Sequence, residues 1–232
     1  MASAPASDSE DLDALVRRVD PDRWLSSRFI ADPDRRADVV ALYAYDHELA
    51  RAPRVASNSL LGEIRLTWWR EALDEIFEDR PVRHHPAAQA LAAAVRRWDL
   101  RRAPLEAMID ARYRELAPEP MDAPEARAWA CDTAGRAAEL AVAILDPQAE
   151  PQAAAAAAAA WMLARRVAER PELKPAFDEL LAVGRRRARR LSAAAFPAAA
   201  HAVFAAPRAA GGSSEGLGGR LRITLAVARG RI

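Results

Sequence analysis

Residues 60–100 read LLGEIRLTWWREALDEIFEDRPVRHHPAAQALAAAVRRWDL, and the order within this stretch decides the fold. Leu61, Ile64, Trp68, Ala72, Leu73 and Ile76 recur at intervals of mostly three or four, the period of a helix with one apolar face. Ser57, Asn58 and Ser59 stand before it as candidate caps, because a short polar side chain can accept from the free N–H groups of a first turn. The segment DRPVRHHP then breaks the pattern, and a second helix is predicted over residues 87–98. His84 and His85, ahead of Pro86, read as the turn into that helix in preference to a metal pair, since no partner ligands accompany them. Short, proline-bounded connections make neighbouring helices pack antiparallel, so the stretch predicts a helical bundle.

The same punctuation continues in both directions. Residues 1–9 are small and polar and are expected to be disordered, followed by a short helix over residues 11–19. Pro21 opens a segment with Trp24, Leu25, Phe29 and Ile30 at helical spacing. A third helix starts after Asp32-Pro33, carries Val39, Val40, Leu42, Tyr43 and Leu49, and is expected to stop at Pro53. Beyond residue 100, Pro104 lies in the first turn of a helix whose Leu105, Met108, Ile109 and Leu116 face inward. Residues 117–125, APEPMDAPE, read as a loop, and residues 126–145 as a helix with Trp129, Thr133, Ala137, Leu140, Ala141 and Ile144 on one face.

The eight-alanine run over residues 153–160 leads into Trp161 and is predicted to be a buried helix in a tight space. Residues 171–191 form another helix ending in GRRRARR, a solvated face or a complement to the helix dipole. Residues 211–219, GGSSEGLGG, are expected to be a flexible linker between one helical domain over residues 10–210 and a docking segment over residues 220–232. The apolar residues 221–227 of that segment suit strand or helix by period, and a last helix docked on the body is expected.

Composition narrows the classes. The 232 residues are 51% apolar but only 6% aromatic, with much alanine, which predicts closely approaching helices. Thirty-four basic against 33 acidic residues leave a net charge of +1, which argues against a nucleic-acid partner. The only lysine is Lys174, a bias toward arginine that reads first as coding composition. A lone Cys131 permits no internal disulfide and no cysteine-based zinc site. The acidic N-terminus has no signal-peptide pattern and no uncharged run of about 18 apolar residues occurs, so a cytoplasmic chain is expected, with possible peripheral contact at the inner membrane.

Tyr43-Ala44-Tyr45, Leu66-Thr67-Trp68-Trp69-Arg70, Arg80-Pro81, His85-Pro86 and Arg96-Arg97-Trp98-Asp99-Leu100, in that order, resemble the first half of the squalene/phytoene synthases. The resemblance covers roughly residues 22–116 and implies an all-α, single-domain bundle of the isoprenoid synthase type around a central cavity, here shortened in its second half. Family enzymes join two prenyl diphosphates head to head, with magnesium held by two aspartate clusters, a task that suits hard oxygen ligands. At the positions matching the first cluster this chain has Ala50, Arg51 and Arg54, and arginine cannot ligate magnesium. The second cluster is expected near Trp161, where residues 162–181 read MLARRVAERPELKPAFDELL without the aspartate pattern. Residues 44–77 are closer still to the non-catalytic branch of the superfamily, whose mitochondrial members act in assembly of respiratory complex I.

The resemblance thus implies a non-catalytic binding or assembly protein whose partner is a prenyl or lipid ligand or another protein, with no cofactor expected. Tyr43, Asp46, Glu48, Arg51, Arg54, Arg65, Trp69, Arg70 and Asp110 are the candidate ligand-binding residues. Asp46 and Glu48 are remnants of a cation site or are salt-bridged; two residues apart on a helix, they point in different directions. Arg51, Arg54, Arg65 and Arg70 either hold a diphosphate by guanidinium forks or pair at the surface with Glu48, Glu63 and Asp74. One of Trp68 and Trp69 is core, and the other walls a cavity or meets a partner. Two rival readings are a magnesium-dependent prenyl transferase using Asp46, Glu48, Asp110 and Glu115, and a non-catalytic subunit of an intact synthase.

Overall fold

The computed structural model describes residues 6–54, 58–212 and 216–232. In chain order the helices are α1 (Ala6–Val19), α2 (Pro21–Ser27), α3 (Pro33–Arg54), α4 (Ser59–Phe77), α5 (Pro86–Trp98) and α6 (Arg102–Tyr113). They are followed by α7 (Ala123–Ala130), α8 (Arg136–Leu145), α9 (Ala155–Val167) and α10 (Lys174–Ala188). Two short turns of helix, α11 (Pro197–Ala200) and α12 (Ala205–Ala209), lead to α13 (Gly216–Arg229). Every regular element among the described residues is helical.

Helix starts follow the expected chemistry. The carboxylate of Asp32 accepts from the N–H groups of Asp34 and Arg35 ahead of α3, and Asn58 caps α4 through the N–H of Leu61. Ser57 lies outside the described residues. Asp122 and Glu125 form a reciprocal capping box that starts α7 three residues earlier than the alanine pattern suggests. The helix expected over residues 126–145 is interrupted by one widened π turn, Cys131–Gly135. There Thr133 donates to the carbonyl of Trp129 at 2.8 Å, one residue short of the π turn's own bonding distance along the chain.

Two helices are surrounded on all sides. In α3 every residue over 38–46 is buried, against α1, α4, α5, α6 and α8. In α9 every residue over 156–164 is buried, against α7, α8, α10 and α12, which places the alanine run in the tight space its composition calls for. The backbones come together at Gly184 of α10, where a Cβ would lie 2.6 Å from the Cα of Ala157.

Several expectations need correction. Helix α1 begins at Ala6, inside the stretch expected to be disordered, while residues 1–5 lie outside the described residues. Pro53 does not stop α3 but sits inside its last turn, where it removes only the single bond its N–H would have given to the carbonyl of Leu49. On α4 the buried stripe is Gly62, Leu66, Trp69, Ala72, Leu73 and Ile76, whereas Leu61 and Ile64 are 41% and 55% exposed. Residues 216–219 of the expected linker already belong to α13, and residues 213–215 lie outside the described residues. The segment left open between strand and helix is helical, and Gly219, Ile223 and Ala226 dock it on the body.

Candidate functional site

The first candidate lies where α2, α3, α6 and α9 meet. Asp46 of α3, 1% exposed, accepts from Arg23 of α2 on one oxygen and from Arg112 of α6 on the other, both at 2.7 Å. Arg112 also donates to Glu115 at 2.6 Å, and Glu115 accepts from the indole N–H of Trp129. Arg23 in turn bonds Asp20, and its guanidinium lies 4.7 Å from the Tyr43 ring and 5.2 Å from that of Trp161. Trp161 donates to Asp22, which also pairs with Arg208. The bundle interior at this level is therefore filled by an ionic and aromatic lattice.

Electrostatics follow from that geometry. Burial alone raises a carboxylate pKa, but the two guanidinium groups overcome it and hold Asp46 at about 2. Burial pushes the Tyr43 hydroxyl well above its ordinary value. His201, packed edge-on against Trp161 at 4.9 Å, is driven down to about 3 by burial and the charge of Arg23, so it is neutral. Asp46 and Glu115 are joined only through the guanidinium of Arg112, which bonds both.

The magnesium implied by the resemblance is not matched by this donor set. Ala50, Arg51 and Arg54 offer no oxygen ligand, and both oxygens of Asp46 are engaged by arginine. Among the described residues no group of three or more His, Cys, Asp and Glu side chains is arranged to hold a metal ion.

The second candidate is a surface pocket of about 370 Å³ between α3, α4 and the start of α5. It gathers Glu48, Arg51, Arg65 and Trp69 from the sequence candidates and adds Ile64, Trp68 and His85. Its wall is a run of edge-to-face rings in which Tyr45 meets Trp69 at 5.3 Å, Trp69 meets Trp68 at 5.0 Å, and His85 touches both tryptophans. Arg83 stacks over the Trp68 ring at 4.6 Å and is itself fixed by Glu75. Glu48 holds Arg51 at 3.0 Å, while Arg65 makes no ion pair among the described residues. Trp69 is the core ring and half-buried Trp68 the wall.

The nine candidates therefore fall in separate places. Tyr43 and Asp46 belong to the interior lattice, and Glu48, Arg51, Arg65 and Trp69 to the pocket. Arg70 and Asp110 pair with each other across α4 and α6, with Asp110 well exposed, so Asp110 faces away from the interior and Arg70 does not pair with Asp74. Asp74 binds Arg102 instead. Arg54 is the exposed last residue of α3. Missed altogether were Arg23, Asp20, Asp22 and His201; the only signal was three charges set just ahead of Trp24 in DPDRW at residues 20–24.

This all-α bundle is of the isoprenoid synthase type. It superposes on a solved dehydrosqualene synthase in complex with ligand with a TM-score of 0.68, covering 96% of this chain and 95% of that one. At 13% identity the likeness establishes the fold alone. A sequence model of the squalene/phytoene synthase family matches residues 16–169, and the chain belongs to that family. Relatives named NADH dehydrogenase (ubiquinone) complex I, assembly factor 6 match over 102 or 103 residues, at 33% identity in Bos taurus, 36% in Rattus norvegicus and 31% in Homo sapiens. The match spans 44% of this chain and 30% of the length of each relative. Among the described residues no helix is long and apolar enough to cross a membrane.

Proposed function

We propose that this protein is a squalene/phytoene synthase-family member that has lost both aspartate-rich motifs and works without catalysis, as a binding or assembly factor for a membrane respiratory complex. The observation that carries the reading is Asp46: the acid of the first-motif segment that faces the interior is saturated by Arg23 and Arg112. An internal guanidinium supplies the charge that magnesium would otherwise bring, and it cannot leave with a diphosphate. The relatives named as complex I assembly factors support the second half of the proposal, through the segment they share with this chain. The pocket between α3 and α4 offers a partner an aromatic wall, a constrained arginine and Arg65, which has no ion pair among the described residues, a combination suited to an anionic group carried on an apolar body.

Calorimetric titration of the purified chain with farnesyl diphosphate, with and without magnesium, tests the absence of catalysis. The expected isotherms are the same in both conditions, with no diphosphate released. Binding that requires magnesium would restore the prenyl transferase.

A further inference from the structure

We propose that α13 is an in-plane docking helix for an anionic lipid surface. The helix turns its buried residues Gly219, Ile223 and Ala226 toward the body, yet it is apolar on the opposite side as well. Leu217, Leu221 and Leu225 follow one another at intervals of four and are 83%, 61% and 39% exposed. At about 100° per residue these three leucines share one stripe, nearly opposite the buried face. The same arithmetic sets Arg222 and Arg229 on one flank of the stripe and Arg220 on the other. A leucine stripe between arginine flanks is the arrangement of a helix lying at a bilayer interface, its leucines in the acyl boundary and its guanidinium groups at the phosphates.

Charge selects the occupant. Residues 216–232 contain Arg220, Arg222, Arg229 and Arg231 and no acidic residue, a charge of +4 within a chain whose net charge is +1. Beside the stripe a groove of about 520 Å³ is lined by Leu221, Leu225 and Ile232 together with Arg222, Arg229 and Arg231. Phosphate headgroups complement that lining, and each nearby arginine adds to attraction toward an anionic leaflet. A second copy of this chain would bring the same arginines face to face, so self-association through the stripe is opposed by its own charge. Fourteen residues, a length of about 21 Å, make α13 an element that lies on a membrane and does not cross it.

This inference is independent of the proposed function, because its test needs neither magnesium nor a prenyl diphosphate. The full chain is sedimented with phosphatidylcholine vesicles with and without phosphatidylglycerol, alongside the Leu221→Glu and the Arg220→Gln/Arg222→Gln variants. All substitutions fall at exposed positions, and circular dichroism checks that the helical content is kept. Binding is expected only to the anionic vesicles, weakening with salt, with a loss of about tenfold or more in Leu221→Glu and a shallower salt dependence in the arginine variant. Absence of binding, equal binding to both vesicles, or binding untouched by Leu221→Glu overturns the proposal. So does a concentration-dependent dimer, seen by ultracentrifugation, that Leu221→Glu dissolves.

Discussion

Asp46 accepts one guanidinium on each carboxylate oxygen, and with both arginines buried neither has water as an alternative partner. Removing the negative charge leaves two buried guanidinium groups close together, Arg23 with only Asp20 and Arg112 with only Glu115 to balance them, a larger loss than the pair's own net contribution. Asp46→Asn is expected to lower unfolding stability by about 3–5 kcal/mol, read as a fall in the urea midpoint at unchanged slope. A cost below about 1 kcal/mol would mean that water reaches the lattice and that the acid is free for other work. The direction of Asp46 and Glu48 was legible from their spacing, since residues two apart on a helix diverge, and one enters the interior while the other lines the pocket. What filled the space around Asp46 was not legible, because its partners stand 23 and 66 residues away and no periodicity couples an aspartate to a distant arginine. The surface arginines failed for a related reason: several carboxylates lay within reach of Arg70, and tertiary packing of α4 against α6 selected Asp110.

Two helical glycines separate tolerance from constraint at the level of elements. At Gly184 an added Cβ would meet the Cα, N and Cβ of Ala157 at 2.6, 2.7 and 3.0 Å, all on the rigid axis of α9. Gly184→Ala must push α10 off α9 and is expected to cost about 1–3 kcal/mol despite alanine's better helix propensity. At Gly62 the obstacle is the end of the Leu116 side chain, which can rotate away. Gly62→Ala is therefore expected to stay within about 1 kcal/mol of the parent, and thermal unfolding of the two variants side by side checks the ranking. If both cost the same, the α9–α10 contact is softer than its geometry. Helix existence was readable nearly everywhere from prolines, caps and apolar period, including the alanine run that becomes α9. The face of α4 was not, because Leu60, Leu61, Ile64, Leu66, Trp68 and Trp69 draw two overlapping stripes, and only the partners α3 and α6 decide between them. The π turn at residues 131–135 left no trace in the pattern, since one extra residue in a turn shifts the period by less than the tolerance of the alanine-rich face.

For the molecule as a whole, acid should weaken the fold earlier than its carboxylates alone require. His201 is buried and neutral, with neither ring nitrogen bonded among the described residues, and its pKa is about 3 against an ordinary 6.5. The unfolded chain takes up a proton at His201 as pH falls through 6.5, and the folded chain does not until near 3. This contribution is complete above pH 6.5 and is lost as pH falls toward 3, with a slope of up to about 1.4 kcal/mol per pH unit. His47 and His85, half-buried and also shifted downward by burial, act in the same sense. Asp46, at about 2 against an ordinary 3.8, adds its loss only below pH 3.8 and so does not confuse the upper window. His201→Leu removes the largest of the three histidine contributions together with two unbonded polar atoms, which leaves stability at pH 7.5 equal or higher. Urea midpoints between pH 7.5 and pH 4.5 should then fall more gently for the variant, the two curves diverging as pH drops. Parallel curves would show that the proton goes elsewhere, and a variant less stable at pH 7.5 would show that the imidazole makes a bond inside the fold.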